Sequence, residues 1–174
     1  MKIVFGEYKI RSFHPTDKEA ILKYANNINV SKNLRDSFPY PYTGEDADAW
    51  LKLACSQKSE MNFAIANKHE LIGGIGLMPQ TDVYRYSAEI GYWLAEQFWG
   101  RNIASSAVIA MTKYAFNSFN FIRLFANVFE FNPASARVLE KAGYKFEGSM
   151  RKAVYKNCRF WDQLMYSILK EETI

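Results

Sequence analysis

The sequence has few cysteines, few histidines and no long apolar segment, and each shortage excludes a class of protein. Its two cysteines, Cys55 and Cys158, are fewer than disulfide-stapled secreted domains carry, so they fit reduced thiols and a cytoplasmic location. The histidines, His14 and His69, form no ligand spacing with these cysteines, so we expect no metal site. No apolar run reaches the roughly 18 residues of a membrane span, and no signal-peptide pattern opens the chain.

The apolar content is high enough for one folded domain. The 174 residues are 49% hydrophobic and 16% aromatic, which predicts a single domain over residues 1–174 with a substantial core. The formal net charge of +4 is too small to indicate nucleic-acid binding. It suits a phosphorylated ligand, although an ordinary slightly basic surface is the favoured explanation.

Hydrophobic patterning alternates between strand-like and helix-like segments. Capping signals predict helices after Thr16–Glu19, after Thr43–Asp46 and at Asn132-Pro133, the last ending at Gly143. A further helix over 104–117 connects two strands, which permits a parallel crossover. We therefore predict an α+β fold with a mixed, mostly antiparallel twisted central sheet flanked by helices. Alternating apolar positions predict strands over residues 2–13, 61–67, 70–78, 88–94 and 122–129, and a hairpin over 144–155 and 160–169 turning at Lys156-Asn157-Cys158.

The chain is organised around a strand, a polar turn and a long helix. Residues 88–94 form the strand, Trp99-Gly100-Arg101-Asn102-Ile103-Ala104 the turn, and the helix continues to about Asn117. Backbone N–H groups at a helix N-terminus bind phosphate, and asparagine tolerates the left-handed conformation that such a turn needs. Taken alone, the turn is better explained as an ordinary strand-to-helix connection.

Two segments together resemble the signatures of the GNAT superfamily of acetyl-CoA-dependent N-acetyltransferases. The first is Glu89-Ile90-Gly91-Tyr92-Trp93-Leu94 followed by Trp99-Gly100-Arg101, and the second runs from Asn132 to Tyr144. The resemblance covers nearly the whole chain and is nearest to the Rim-type enzymes that acetylate ribosomal-protein N-termini. It implies a GNAT fold, acetyl-CoA as co-substrate and acetyl transfer to a primary amine.

The resemblance also implies which residues bind the cofactor. The turn would hold the pyrophosphate, the strand end would hydrogen-bond the pantetheine arm, and the second signature would face the acetyl-thioester. The family pattern has glycine where this chain has Asn102, so the residue must adopt the backbone conformation of glycine. The implied cofactor-binding residues are Trp93, Leu94, Trp99, Gly100, Arg101, Asn102, Ile103, Ala104, Asn132 and Ser135.

Glu89 and Ser135 are the candidate catalytic residues. Glu89 occupies the strand position where the superfamily often has a general base, which accepts the proton of the attacking amine. A strand glutamate in a salt bridge is an equally good explanation. Many relatives have a tyrosine acid four residues before the glycine, where this chain has Leu139. Ser135 is the candidate replacement, as a hydrogen-bond donor to the leaving sulfur, and a solvated serine behind an Asn132 helix cap is the alternative explanation.

Three hypotheses about function follow from the resemblance, two of which name an acceptor. A protein N-terminal α-amine is favoured, because such an amine is roughly a tenth neutral at pH 7 and needs less help from a base than lysine. A small amine such as an aminoglycoside, a polyamine or an amino acid is the first alternative. A non-catalytic acyl-CoA-binding regulatory module is the second, favoured by Leu139 and Asn102. An exposed aromatic surface would permit a homodimer.

Overall fold

The structure, a computed structural model, describes residues 1–56 and 61–173, which contain eight strands, five α-helices and four short 3-10 helices. The strands are β1 (Lys2–Phe5), β2 (Tyr8–Ser12), β3 (Asn62–Ala66), β4 (Leu71–Pro79), β5 (Ser87–Leu94), β6 (Arg123–Phe129), β7 (Lys145–Lys156) and β8 (Arg159–Leu169). The helices are α1 (Lys18–Ala25), α2 (Ile28–Ser31), α3 (Gly44–Ser56), α4 (Ile103–Ser118) and α5 (Pro133–Lys141).

The strands form one mixed sheet in the order β1-β2-β3-β4-β5-β6-β8-β7. β5 and β6 are parallel, whereas β1–β2, β2–β3, β3–β4, β6–β8 and β7–β8 are antiparallel. The helix that connects the parallel pair is α4, as a crossover requires. The predicted α+β class with a mixed, mostly antiparallel sheet is confirmed.

Contacts divide the chain into two compact units, of which the first comprises Met1–Gly76 and Tyr92–Ala107. In this unit α1 packs on α3, and β3 is buried along most of its length. Apolar side chains of β2, β3, β4 and α1 form its core, with Ile10, Ile21, Phe63, Ile65, Leu71 and Ile72 almost fully buried.

The second unit comprises Leu77–Gly91 and Val108–Ile174. Its strand β6 pairs with β5 on one side and with β8 on the other. Burial alternates along β6, so one face of the strand packs into the core while the other carries half-buried side chains. The core of this unit includes Val108, Met111, Leu124, Leu139 and Ile168.

Two of the predicted helix starts are confirmed. The Thr43 main-chain N–H donates to Asp46 Oδ2 at 2.8 Å, and the Asp46 N–H donates back to Thr43 Oγ1 at 3.3 Å, directly before α3. Asn132 is the N-cap of α5, and Gly143 follows its end with φ 89°. Both patterns are local in sequence, which is why sequence analysis finds them.

The predicted capping box at Thr16–Glu19 is wrong. His14 is instead the N-cap of a short 3-10 helix over Pro15–Asp17, with its main-chain N–H donating to Asp17 Oδ2 at 2.8 Å, and α1 begins at Lys18 with Asp17 as its own N-cap. The buried Asp17 carboxylate also pairs with Arg11, with Nη2 and Oδ1 2.6 Å apart. The reciprocal capping contact thus joins His14 and Asp17, and the ion pair ties the residue before α1 to strand β2.

Further boundaries differ from the predictions by a few residues. Residues 2–13 divide into β1 and β2 at Gly6, which has φ 58°. The hairpin turn consists of Asn157 and Cys158 alone, both with positive φ, because Lys156 still pairs with Arg159. The short helix α2 was not predicted. Among the described residues, no helix is long and apolar enough to cross a membrane.

Candidate functional site

The turn before α4 contains two residues in the left-handed backbone conformation. Gly100 has φ 74° and Asn102 has φ 59°. The Asn102 carbonyl accepts hydrogen bonds from the Ser106 main-chain N–H at 3.0 Å and from Ser105 Oγ at 2.9 Å, which closes the first turn of the helix. Asn102 thus has the conformation for which glycine is normally used, at the positive end of a helix of 16 residues.

Trp99 ties this turn to the end of β5. Its indole Nε1–H donates a 2.7 Å hydrogen bond to the main-chain oxygen of Leu94. The next residue, Ala95, donates its main-chain N–H to the Ile72 carbonyl on β4 at 2.9 Å. Trp99 therefore holds the backbone in place through its side chain, a role that the sequence does not reveal.

The segment between β5 and the turn is held by two asparagines. The Glu96 carboxylate accepts hydrogen bonds from Asn27 Nδ2 at 2.8 Å and from Asn29 Nδ2 at 3.0 Å. These amide donors favour the charged carboxylate and lower the pKa of Glu96 below its ordinary value. Asn27 is also the N-cap of α2. The contact therefore joins α2 to the residues that precede the turn, and sequence analysis missed it because the partners are far apart in the chain.

Trp93 packs against the glycines of β4. A Cβ built on Gly74 would lie 2.6 Å from the Trp93 indole nitrogen, so only glycine fits there without a shift. The ring of Phe38 contacts the Trp93 ring with centroids 5.6 Å apart, and Phe38 also contacts Tyr42. Burial raises the pKa of Tyr42 to about 12, so its phenol stays neutral and serves packing.

Glu89 lies on the half-buried face of β5, between the buried Ala88 and Ile90. Its partner is Asn127 on β6, whose Nδ2 donates to Glu89 Oε1 at 3.2 Å. The parallel register pairs Glu89 with Phe125, which places Asn127 one step further along the same face. Sequence analysis did not select Asn127, although the alternation along β6 indicated its face.

Asn132 and Ser135 are brought together in the first turn of α5. The Ser135 main-chain N–H donates to Asn132 Oδ1 at 3.2 Å, which is the ordinary N-cap contact. Ser135 is half-buried, and Leu139 one turn later is fully buried in the core. The position at which many relatives have a tyrosine acid is therefore a packing position in this chain.

Within residues 1–56 and 61–173, no group of three or more His, Cys, Asp and Glu side chains is arranged to hold a metal ion. The predicted cofactor residues of β5 and the turn belong to the first unit, where Trp99 and Leu94 are hydrogen-bonded. Glu89, Asn132 and Ser135 belong to the second unit. The residues that contact the candidate site and that the sequence did not indicate are Asn27, Asn29, Glu96 and Asn127.

Comparison with known proteins agrees with this chemistry. The Acetyltransferase (GNAT) domain family matches residues 8–145. The uncharacterized N-acetyltransferase YnaD of Bacillus subtilis is 30% identical over 174 residues, covering 99% of both chains.

Solved structures share the fold. RimL, a ribosomal L7/L12 alpha-N-protein acetyltransferase in complex with coenzyme A, superposes with a TM-score of 0.84 at 21% identity, covering 96% of both chains. Spermidine N-acetyltransferase from Vibrio cholerae, in complex with CoA and spermine, has a TM-score of 0.80 at 21% identity, covering 96% of this chain and 98% of that one.

The family match spans more than half of the chain, and the Bacillus subtilis relative spans all but a small part of it. Acetyl-CoA is the acetyl donor of this family. The chain belongs to the GNAT family of acetyltransferases and is an N-acetyltransferase.

Proposed function

We propose that the protein acetylates a protein N-terminal α-amine of the ribosomal-protein type, by direct attack on acetyl-CoA in a ternary complex. The observation that carries the cofactor-binding part of this proposal is the left-handed backbone of Asn102, φ 59°, immediately before α4. Asparagine thereby supplies the conformation that the family pattern obtains from glycine. The departure of this chain from that pattern is therefore compatible with pyrophosphate binding at the turn.

The turn binds the pyrophosphate through main-chain N–H groups at the start of α4. The helix N-terminus adds a partial positive charge, and the exposed Arg101 adds a full one. The Arg101 guanidinium lies 5.8 Å from the centre of the Phe98 ring. Main-chain groups of Trp93 and Leu94 hydrogen-bond the pantetheine arm, with the Leu94 carbonyl already held by Trp99. Residues 99–104 together make the anion site.

Glu89 accepts a proton from the acceptor nitrogen, and the freed lone pair forms the N–C bond at the thioester carbonyl. The C–S bond then breaks and the electron pair leaves on sulfur. Ser135 donates a hydrogen bond to that sulfur, and Asn132 orients the first turn of α5 that carries it. A thiol with a pKa near 8.5 is a fair leaving group, so the buried Leu139 in place of a tyrosine acid is compatible with turnover.

An α-amine is the acceptor that best fits these residues. Because roughly a tenth of such an amine is neutral at pH 7, positioning supplies most of the catalysis and one carboxylate suffices. The similarity in fold to RimL supports this choice. The alternative is a small amine such as a polyamine, an aminoglycoside or an amino acid, which the similarity in fold to spermidine N-acetyltransferase supports.

A non-catalytic acyl-CoA-binding module is the third hypothesis, and the buried Leu139 is the observation that favours it. A homodimer and a cytoplasmic location stay predictions. For the homodimer, the exposed rings of Phe146, Tyr155 and Phe160 on the β7–β8 hairpin supply an aromatic surface. The mass of the protein in solution checks it.

Release of free thiol from acetyl-CoA separates these hypotheses. The acceptors are peptides with free N-termini, the same peptides with blocked N-termini, spermidine and an aminoglycoside. We expect release with the free peptides and none with the blocked ones. Release with small amines alone would replace the proposed acceptor by the alternative. Tight binding of acetyl-CoA without release on any acceptor would support the binding module.

A further inference from the structure

The side-chain amide of Asn127 uses its nitrogen to hydrogen-bond the candidate base, while its oxygen has no hydrogen-bond partner among the described residues. Its Nδ2 donates to Glu89 Oε1 at 3.2 Å. Its Oδ1 is buried and has no hydrogen-bond partner among residues 1–56 and 61–173. The orientation is fixed by chemistry, since an ionised carboxylate only accepts hydrogen bonds and must therefore face the NH2 group.

The neighbours of Asn127 do not supply a donor for that oxygen. Across the β6–β8 ladder the residue opposite is Met165, a thioether. Along β6 the residues on the same face are Phe125 and Phe129, both apolar. Buried polar atoms in proteins are nearly always hydrogen-bonded, because an unpaired one keeps its desolvation cost. An unpaired oxygen beside a catalytic carboxylate is therefore suited to a donor that arrives with the substrate.

We propose, building on the role of Glu89 proposed above, that Asn127 is the second residue of the amine site. Its Nδ2 holds the Glu89 carboxylate in place, and its Oδ1 accepts an N–H of the acceptor. An ammonium group carries enough hydrogens for both contacts: one proton passes to Glu89, a second N–H donates to Asn127 Oδ1, and the freed lone pair attacks the thioester carbon. The residue thus selects a primary amine and aims its lone pair.

The substitution Asn127→Leu tests this inference, because leucine has a similar size and lacks both polar groups. We expect kcat/KM for the acceptor to fall by about 10- to 100-fold, the range that a hydrogen bond to a charged group supplies. The KM for acetyl-CoA stays unchanged. The melting temperature stays the same or rises, since a buried unpaired oxygen has been removed. A residue with only a structural role would instead lower the melting temperature.

A double-mutant cycle with Glu89→Gln shows whether Asn127 acts on kcat/KM by positioning the Glu89 carboxylate or independently of it. If Asn127 acts together with Glu89, Asn127→Leu costs much less in the Glu89→Gln background than in the wild type. Gln163→Leu is the matched control, since it removes an amide from β8 at the position paired with Phe129. We expect Gln163→Leu to leave kcat/KM unchanged, both in the wild type and in the Glu89→Gln background.

Each result decides a different claim. Wild-type protein that turns over no amine overturns the proposed function and this inference together. Turnover that Glu89→Gln leaves intact overturns the base and the amine site built on it. Two results overturn the inference about Asn127 alone, provided that turnover depends on Glu89. One is that Asn127→Leu loses no activity, and the other is that the losses in kcat/KM of the two single mutants multiply in the double mutant.

Discussion

The indole nitrogen of Trp99 donates a 2.7 Å hydrogen bond to the main-chain oxygen of Leu94. The bond closes the segment between the last residue of β5 and the turn before α4. It therefore fixes two regions of the proposed cofactor site relative to each other within the first unit. The Trp99 side chain thus supplies the Leu94 carbonyl, at the end of β5, with a hydrogen-bond donor that a neighbouring strand would otherwise supply.

Replacing Trp99 by phenylalanine removes this hydrogen bond and keeps an aromatic ring. We expect a loss of about 1 kcal/mol in the free energy of unfolding and a weaker Kd for coenzyme A, measured by thermal melting and calorimetry. Trp161→Phe is the control, because the Trp161 indole donates to the Lys156 carbonyl at 3.2 Å in the other unit. We expect Trp161→Phe to lose a similar free energy of unfolding and to keep the wild-type Kd for coenzyme A. Wild-type affinity in Trp99→Phe would contradict this account.

Asn102 tests the backbone of the turn. Valine is disfavoured at φ 59° by roughly 1–2 kcal/mol, whereas glycine adopts this conformation freely. We expect Asn102→Gly to bind coenzyme A as well as the wild type and Asn102→Val to bind about tenfold more weakly.

Asn157, with φ 53° in the β7–β8 turn, is the control for Asn102. Asn157→Val should lower stability without changing the Kd for coenzyme A. Equal affinities of Asn102→Val and the wild type would show that the turn does not bind the pyrophosphate.

The close approach of Trp93 to β4 predicts a cost for any side chain at Gly74. An added Cβ would lie 2.6 Å from the indole nitrogen, so Gly74→Ala should destabilise the protein by about 1–3 kcal/mol in urea unfolding. Gly148→Ala is the control, since nothing lies within 4 Å of a Cβ built there. A fully stable Gly74→Ala protein would mean that Trp93 moves aside at no cost.

The Glu96 contact predicts a pH dependence of stability. Asn27 and Asn29 lower the pKa of Glu96 in the folded state below 4.5, so the charged carboxylate favours folding. Its contribution is complete above pH 4.5 and disappears as the pH falls through the lowered folded pKa. We expect Glu96→Gln to be less stable than the wild type at neutral pH, with the difference shrinking at acidic pH.

Urea unfolding at several pH values measures that difference. Glu7→Gln is the control for replacing an exposed carboxylate by its amide, since Glu7 lies exposed in the β1–β2 turn. A Glu96→Gln difference that is constant across the acidic range would exclude the asparagine contact as its source.

Sequence patterns predicted those parts of the fold that depend on neighbouring residues. Alternation in β6 and the caps Thr43 and Asn132 are local, and each is confirmed. The capping box before α1 was misassigned, because the reciprocal hydrogen bonds join His14 and Asp17 rather than Thr16 and Glu19. The Asp17 carboxylate also pairs with Arg11 on β2, and no local pattern contains that contact between a strand and the residue before a helix.

The same distinction applies to the candidate site. The turn and its left-handed Asn102 follow from residues next to one another. The contact of Asn127 with Glu89 and that of Asn29 with Glu96 join residues 38 and 67 positions apart. Pairings of this kind depend on strand register and loop placement, which a single sequence does not specify.

The most direct test of the account is the position of the acetyl group in a peptide that carries both a free N-terminus and an internal lysine. The peptide is incubated with the protein and acetyl-CoA and then sequenced by tandem mass spectrometry. The account predicts acetylation of the α-amine, with the lysine unmodified and the product lost in Glu89→Gln. Acetyl groups on the lysine alone, or none on either amine, would contradict it.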